Sequence, residues 1–380
     1  MKAICFIVLA ATCFQLFAQQ QPTEIQFPQD VDKLIHSYQF NKAIKLLEGR
    51  EDSLSVEVLQ RKGTCYHQMG NYNEAITEYE KLVSLDSMHQ GALLALGQMY
   101  GKQKQFASAF LCYTKLIGMD SLNSYYYKQY GIVAHQANVV GAAIHYLDKA
   151  LELNPTDIES NALLAEILIN GEQPEVADMV LTKALKLTSS PQLSLLLAKA
   201  QLAENRYGDA IKTTSQLLVQ GDTLPAHARI MGIANFALDE YEEAINWMNF
   251  LLNADTRAEW IYYYIGLSYQ NINQPDSAIV YLNKAIDEGI SENIGDYYAQ
   301  LAASYEAANN FKMAIKYYKA GYNVSKSGIL LYHLARNYDV FYKDKEQAIL
   351  YFKKYLESDD TIKLAREYSR ARVNQLEFYR

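Results

Sequence analysis

Apolar residues recur three and four positions apart along most of the chain, and short polar segments interrupt them at regular intervals. Spacings of three and four place side chains on one face of a helix. Between Gly63 and Tyr79 the spacing gives two such faces, separated by the polar turn at residues 70–71. The pattern therefore predicts a helix, a turn and a second helix as the structural unit.

Two columns of small residues show that this unit repeats. Alanines mark the second helix and lie 34 residues apart in six of nine intervals: Ala43, Ala75, Ala109, Ala143, Ala177, Ala210, Ala244, Ala278, Ala314 and Ala348. The first helices carry Gly63, Gly97, Gly131, Ala165, Ala198, Gly232, Gly266, Ala302 and Ala335. Small side chains let paired helices cross closely, and large side chains fill the space between neighbouring pairs. Stacked pairs would then share one extended core.

The arrangement resembles the tetratricopeptide repeat family, whose 34-residue helix–turn–helix has Gly and Tyr in the first helix and Ala and an aromatic residue in the second. Gly63, Tyr66, Ala75 and Tyr79 match this motif, and the resemblance extends over residues 24–361, which hold about ten units. It implies an all-α solenoid, a right-handed superhelix of helix–turn–helix repeats. Residues 362–380 are predicted to form a C-terminal capping helix.

The start of the chain has the layout of a secretory signal peptide. Lys2 precedes an apolar run over residues 3–17, and Ala18 offers a small residue at a cleavage site. An uncleaved anchor is the alternative, but the run is shorter than the roughly 20 residues of a spanning helix. We therefore expect a signal peptide over residues 1–18, a short linker over 19–23 and an exported bacterial protein in the periplasm, with secretion or envelope association as alternatives.

Composition narrows the choice of partners. The net charge is −8 and no basic block is present, which argues against nucleic acid, because Lys and Arg supply most of the affinity for phosphates. No second long apolar run exists, so the chain without its signal peptide is not expected to span a membrane. Cys65 and Cys112 would remain after cleavage, and either a disulfide or two buried thiols is compatible with the sequence.

The sequence offers no recognisable chemistry. It lacks a glycine-rich phosphate loop, cysteine pairs at zinc spacing and the His-Glu-x-x-His motif, and its seven histidines are scattered among different units. We predict no catalytic residue, metal ligand or cofactor, and no enzymatic activity.

Recognition by the surface is the remaining function. The resemblance implies that the first helices of successive units line a concave face, where residues outside the repeat signature contact the partner. Tyr, Trp and Arg dominate binding hot spots. The candidate contact residues are Tyr125, Lys128, Gln129, His135, Arg229, Trp260, Tyr263, Tyr264, Gln270, Tyr332, His333 and Arg336. Some of these rings can equally be core residues, and Tyr262 beside them is expected to be one.

Two functions stay open at this stage. The first is an envelope scaffold that binds a protein or peptide along the concave face. The second is a glycan-binding, small-ligand-binding or enzyme-associated periplasmic protein that uses the aromatic groove. The Lys, Asn and Arg residues with which related repeats clamp chaperone carboxylates are replaced here, for example by Gln129 and Leu163. Asp-Ser/Thr-apolar triplets, as at Asp86 and Asp120, resemble a periplasmic O-glycosylation sequon and equally suit helix capping.

Overall fold

The computed structural model describes residues 27–50, 52, 54–219, 221, 225–254, 258–288 and 293–378. The predicted signal peptide over residues 1–18 and the linker over 19–23 lie outside the described residues.

The described residues form ten helix pairs followed by one more helix, and they contain no strand. The pairs are α1 Phe27–His36 and α2 Phe40–Glu48; α3 Val56–Gln68 and α4 Tyr72–Leu85; α5 Gln90–Lys102 and α6 Phe106–Met119; α7 Ser124–Gln136 and α8 Val140–Leu153; α9 Ile158–Asn170 and α10 Pro174–Leu185; α11 Pro191–Ala203 and α12 Tyr207–Val219; α13 Pro225–Ala237 and α14 Tyr241–Asn253; α15 Glu259–Asn271 and α16 Pro275–Glu288; α17 Ile294–Ala307 and α18 Phe311–Ser325; α19 Gly328–Phe341 and α20 Glu346–Glu357. The last helix is α21, Lys363–Phe378. The predicted all-α hairpin-repeat fold is confirmed.

One left-handed residue ends the first helix in nine of the ten pairs. The amide of left-handed Lys104 donates to the carbonyl of Gly101 at 3.0 Å, and the amide of Gln105 donates to that of Tyr100 at 2.8 Å. These two bonds satisfy the last carbonyls of the helix, as in the Schellman motif. The left-handed positions follow the repeat: Tyr38, Gly70, Lys104, Asn138, Glu172, Asn205, Asp239, Asn273 and Asn309. Each turn therefore reverses the chain with the same geometry.

The small residues of the first helix leave room for a large side chain of the second. A Cβ atom placed on Gly97 would lie 2.8 Å from Cζ of Tyr113, and Gly63 has the same relation to Tyr79. Tyr113 is completely buried as a result. This close approach is the physical basis of the Gly–Tyr spacing that the sequence repeats.

The chain divides within α9 into two compact units, one ending at Ile167 and the other beginning at Leu168. The core of the first unit includes Leu93, Met99 and Tyr113, packed between successive hairpins. In each unit, the second helix of one hairpin packs against the first helix of the next, so each unit is an α-solenoid.

The final helix covers the end of the second unit. Ala365 and Val373 are buried against the core that contains Phe352, and Leu376 packs beside them. Leu364 is 79% exposed, because the buried face of this helix runs through Ala365, Ser369 and Val373 and Leu364 lies beside that face.

Asp side chains of the Asp-Ser/Thr-apolar triplets brace the segments between hairpins. Asp86 and Asp120 each accept a hydrogen bond at 3.1 Å from the backbone amide two residues later. Asp360 does the same at 2.9 Å. These contacts assign the aspartates a structural role in the turns.

Cys65 and Cys112 are buried free thiols, and burial raises the pKa of each to about 11.

Within the described ranges, no helix combines the length and the apolar character needed to cross a membrane.

Candidate functional site

The twelve predicted contact residues all lie on first helices of hairpins. Those in the first unit belong to α7: Tyr125, Lys128, Gln129 and His135. Those in the second unit belong to α13, α15 and α19: Arg229; Trp260, Tyr263, Tyr264 and Gln270; Tyr332, His333 and Arg336. His135 is exposed, whereas Gln129 and Gln270 are half-buried.

In the first unit, Lys128 is engaged within the chain. Its Nζ atom lies 3.1 Å from Oδ1 of Asp157 and 3.0 Å from Oε2 of Glu159. It also lies 5.7 Å from the ring centroid of Tyr125. Burial lowers the pKa of Lys128, but hydrogen bonds to Glu159 and Asp157 outweigh burial, so its pKa is raised overall. The charge of Lys128 is therefore compensated, and this lysine links α7 to the chain that begins the next hairpin.

Around α19, the predicted residues pack against their own hairpin and against the preceding one. The ring of His333 stacks on that of Tyr318 at 5.2 Å, and Tyr332 lies 5.5 Å from Tyr355, measured between ring centroids. Burial lowers the pKa of His333. Arg336 reaches the carboxylate of Glu306 at 3.8 Å. Most of this surface is therefore committed to internal contacts.

Glu306 is the centre of a polar network that the sequence did not indicate. It accepts hydrogen bonds from Oη of Tyr318 at 3.1 Å and from Nδ2 of Asn337 at 2.9 Å. The network connects α17, α18 and α19.

Aromatic residues of α15 join α13 to α17. The guanidinium carbon of Arg229 lies 5.0 Å from the ring centroid of Trp260, a cation–π distance. Trp260 meets Tyr264 edge to face at 6.2 Å, and Tyr263 lies 4.6 Å from Tyr297, between centroids. Burial, then the nearby Asp296 carboxylate, raises the pKa of Tyr263 to about 12. Tyr263 is thus largely a packing residue, whereas Trp260 and Arg229 border open space.

That open space is a pocket of about 500 Å³, here called the Trp260 pocket. Its lining residues come from four helices, α11, α13, α14 and α15: Lys199, Leu202, Pro225, Ala226, Arg229, Ile230, Ile233, Leu251 and Trp260. Side chains from α11, α13 and α15 therefore surround it, which are the first helices of three successive hairpins. The structure thus places two of the twelve predicted residues, Arg229 and Trp260, at one concave site.

Sequence reasoning missed Lys199, Leu202 and Ile233. A signal was present, because Lys199 and Ile233 each directly follow a small-column residue, Ala198 and Gly232 respectively. A residue that directly follows a small residue of the repeat points about 100° away from it around the helix. It therefore faces the groove and not the second helix of its own hairpin.

Similarity to known families was found in two segments. A family model described as TPR repeat matches residues 63–104, and one described as tetratricopeptide repeat matches residues 261–288. The first match includes Gly63, Tyr79 and Gly97, and the second includes Gly266 and Ala278.

Several solved structures are similar to the chain. A tetratricopeptide repeat protein from Parabacteroides merdae is 15% identical, with 74% of this chain and 98% of that protein covered and a TM-score of 0.38. MamA from Desulfovibrio magneticus is 20% identical, with 42% and 92% covered and a TM-score of 0.40. Human IFIT1 is 16% identical, with 89% and 85% covered and a TM-score of 0.41.

Proposed function

We propose that the chain is an exported scaffold of the bacterial cell envelope that binds a protein partner through the first helices of its hairpins. The matches to tetratricopeptide repeat models at residues 63–104 and 261–288 support the binding role, and the signal-peptide pattern over residues 1–18 supports export. Tetratricopeptide repeats generally mediate protein–protein interaction and are generally non-catalytic. The observation that supports the site is the Trp260 pocket, in which three successive first helices present Lys199, Arg229 and Trp260 around apolar walls.

The chemistry of the pocket favours a protein partner over a glycan. Its described lining is mainly apolar, and the only charged or amide side chains in it are Lys199 and Arg229. Sugar hydroxyl groups need acceptors as well as donors, and these two cations supply donors only. A peptide side chain instead gains from apolar contact with Leu202, Ile233 and Trp260.

Photo-cross-linking in cells tests the binding face. A benzoyl-phenylalanine placed at position 260 should cross-link a discrete partner, because this position borders the pocket. The control position is Met179 on α10, which is 70% exposed and outside the pocket. Equal yields from the two positions, or none from position 260, would contradict binding at this face.

Export is tested separately. Cleavage after Ala18 would give a mature chain that begins at Gln19. Mass spectrometry of the protein purified from the periplasmic fraction should find this terminus. Recovery in the cytoplasm with residues 1–18 retained would contradict export and leave the binding face unaffected.

A further inference from the structure

The Trp260 pocket has two cations that the described chain does not neutralise. Neither Lys199 nor Arg229 forms an ion pair with a described carboxylate, and both residues are exposed. Some other cations of the fold are paired: Lys128 contacts Asp157 and Glu159, and Arg206 contacts three carboxylates. The two positive side chains line one pocket, and no described carboxylate is among its lining residues.

The position of Arg229 suits a further contact. Its guanidinium lies against the face of Trp260 at 5.0 Å, which limits the rotamers that it samples and leaves its N–H edge for a carboxylate. The first turn of α13, at Pro225 and Ala226, also lines the pocket, and the positive end of a helix dipole favours an anion there.

The rest of the pocket is apolar. Leu202, Ile230, Ile233 and Leu251 supply the apolar lining. Ile230 and Leu251 are buried and form its floor. A volume of about 500 Å³ is within the range of pockets that hold a small ligand or a few side chains. The site therefore combines an apolar floor with a positive rim.

We infer that the Trp260 pocket binds an extended peptide segment of the partner in which a large apolar side chain is next to an acidic side chain. The apolar side chain enters between Ile233 and Trp260, and the carboxylate pairs with Arg229 and Lys199. The two cations belong to different helices, α11 and α13, so a carboxylate between them would be held from two sides. This inference rests on the proposed function and specifies the chemistry of its partner.

The test uses three acetylated peptides and the intrinsic fluorescence of the full mature chain. The chain has two tryptophans, and replacing Trp247→Phe leaves Trp260 as the reporter in the pocket. The first peptide has a Leu-Glu-Leu centre and an amidated end, the second has Gln in place of Glu, and the third is the Gln peptide with a free terminal carboxylate. Calorimetry measures the same affinities without the Trp247 substitution.

The Glu peptide should bind about tenfold more tightly than the amidated Gln peptide, and the difference should shrink in high salt. Arg229→Gln or Lys199→Gln should reduce this preference severalfold, whereas Lys212→Gln, an exposed charge change on α12 outside the pocket, should leave it unchanged. Circular dichroism checks that each variant keeps its helices.

Three results would overturn the inference: equal affinity for the Glu and Gln peptides, no saturable binding by any peptide at millimolar concentration, or a free-terminus Gln peptide as tight as the Glu peptide. If the peptides fail while position 260 still cross-links its partner in cells, the scaffold proposal stands and only the chemistry inferred here is wrong.

Discussion

Arg372 in the final helix donates two hydrogen bonds to the carboxylate of Asp339 in α19, from Nε to Oδ2 at 2.7 Å and from Nη2 to Oδ1 at 3.0 Å. The side chain of Asp339 is only 7% exposed, and Nζ of Lys345 lies 3.5 Å from its Oδ1 atom. A buried carboxylate is costly unless it is paired and hydrogen-bonded. The bidentate pair therefore fixes where α21 covers the last hairpin.

Replacing Arg372→Met should loosen the final helix, because it leaves the buried Asp339 carboxylate with Lys345 alone. We expect the free energy of unfolding of the final helix to fall by about 2–3 kcal/mol. This is slightly below the usual cost of breaking a buried ion pair, because Arg372 is partly exposed. Hydrogen exchange over residues 363–378 measures it, and protection should fall there first. Lys363→Ala is the control, because Lys363 is 86% exposed and lies 4.0 Å from Glu367. Equal protection in the two variants would contradict an anchoring role for Arg372.

The sequence predicts the hairpins well because one packing contact is repeated in each of them. Gly97 and Tyr113 must keep their spacing in every unit to let two helices cross, so the spacing appears as a column. The pocket and the ion pairs depend on residues that differ between units, such as Lys199 and Asp339, and no period marks them. His333 illustrates the limit: its position on a first helix indicates the groove, yet its ring stacks on Tyr318.

Gly97→Ala should destabilise the first unit although Ala favours helices. The added methyl group would meet the buried ring of Tyr113 at 2.8 Å, and overpacking of this kind costs about 1–3 kcal/mol. Gly118→Ala is the matched control within the same hairpin, since nothing lies within 4 Å of its added Cβ, and it should stabilise by about 0.5–1 kcal/mol. Urea unfolding followed by circular dichroism measures the free energy of unfolding of each variant. An increase in both variants would show that the ring of Tyr113 can move away freely.

Lys104→Gly should stabilise the turn between α5 and α6. Lys104 has a φ of 59°, a left-handed conformation that costs a residue with a Cβ atom about 1 kcal/mol and Gly nothing. Part of this gain is lost because Gly makes the unfolded chain more flexible, so we expect a net gain of about 0.5 kcal/mol. The converse change, Gly70→Ala at the same repeat position with a φ of 79°, should destabilise. Thermal melts of both variants check the two signs, and a loss in Lys104→Gly would mean that the lysine side chain contributes more than the strain costs.

Stability should fall when the pH drops from 7.5 to 5.5, and His333 should account for part of that fall. Burial lowers the pKa of His333 in the folded chain below its ordinary value of 6.5, partly offset by the nearby Glu306 carboxylate. Below pH 6.5 the unfolded chain therefore takes up a proton that the folded chain does not, so the contribution of His333 to stability is complete above pH 6.5 and declines as the pH falls.

The variant His333→Phe keeps a ring to stack on Tyr318 and removes the group that takes up this proton. The melting temperature of this variant should change less between the two pH values than that of the natural chain. Burial also lowers the pKa of His67, but His67 is present in both proteins and contributes equally to each. Carboxylates with lowered pKa values, such as Asp157, stay ionised throughout this range. An identical change in melting temperature in the two proteins would show that His333 takes up its proton as readily in the folded chain as in the unfolded one.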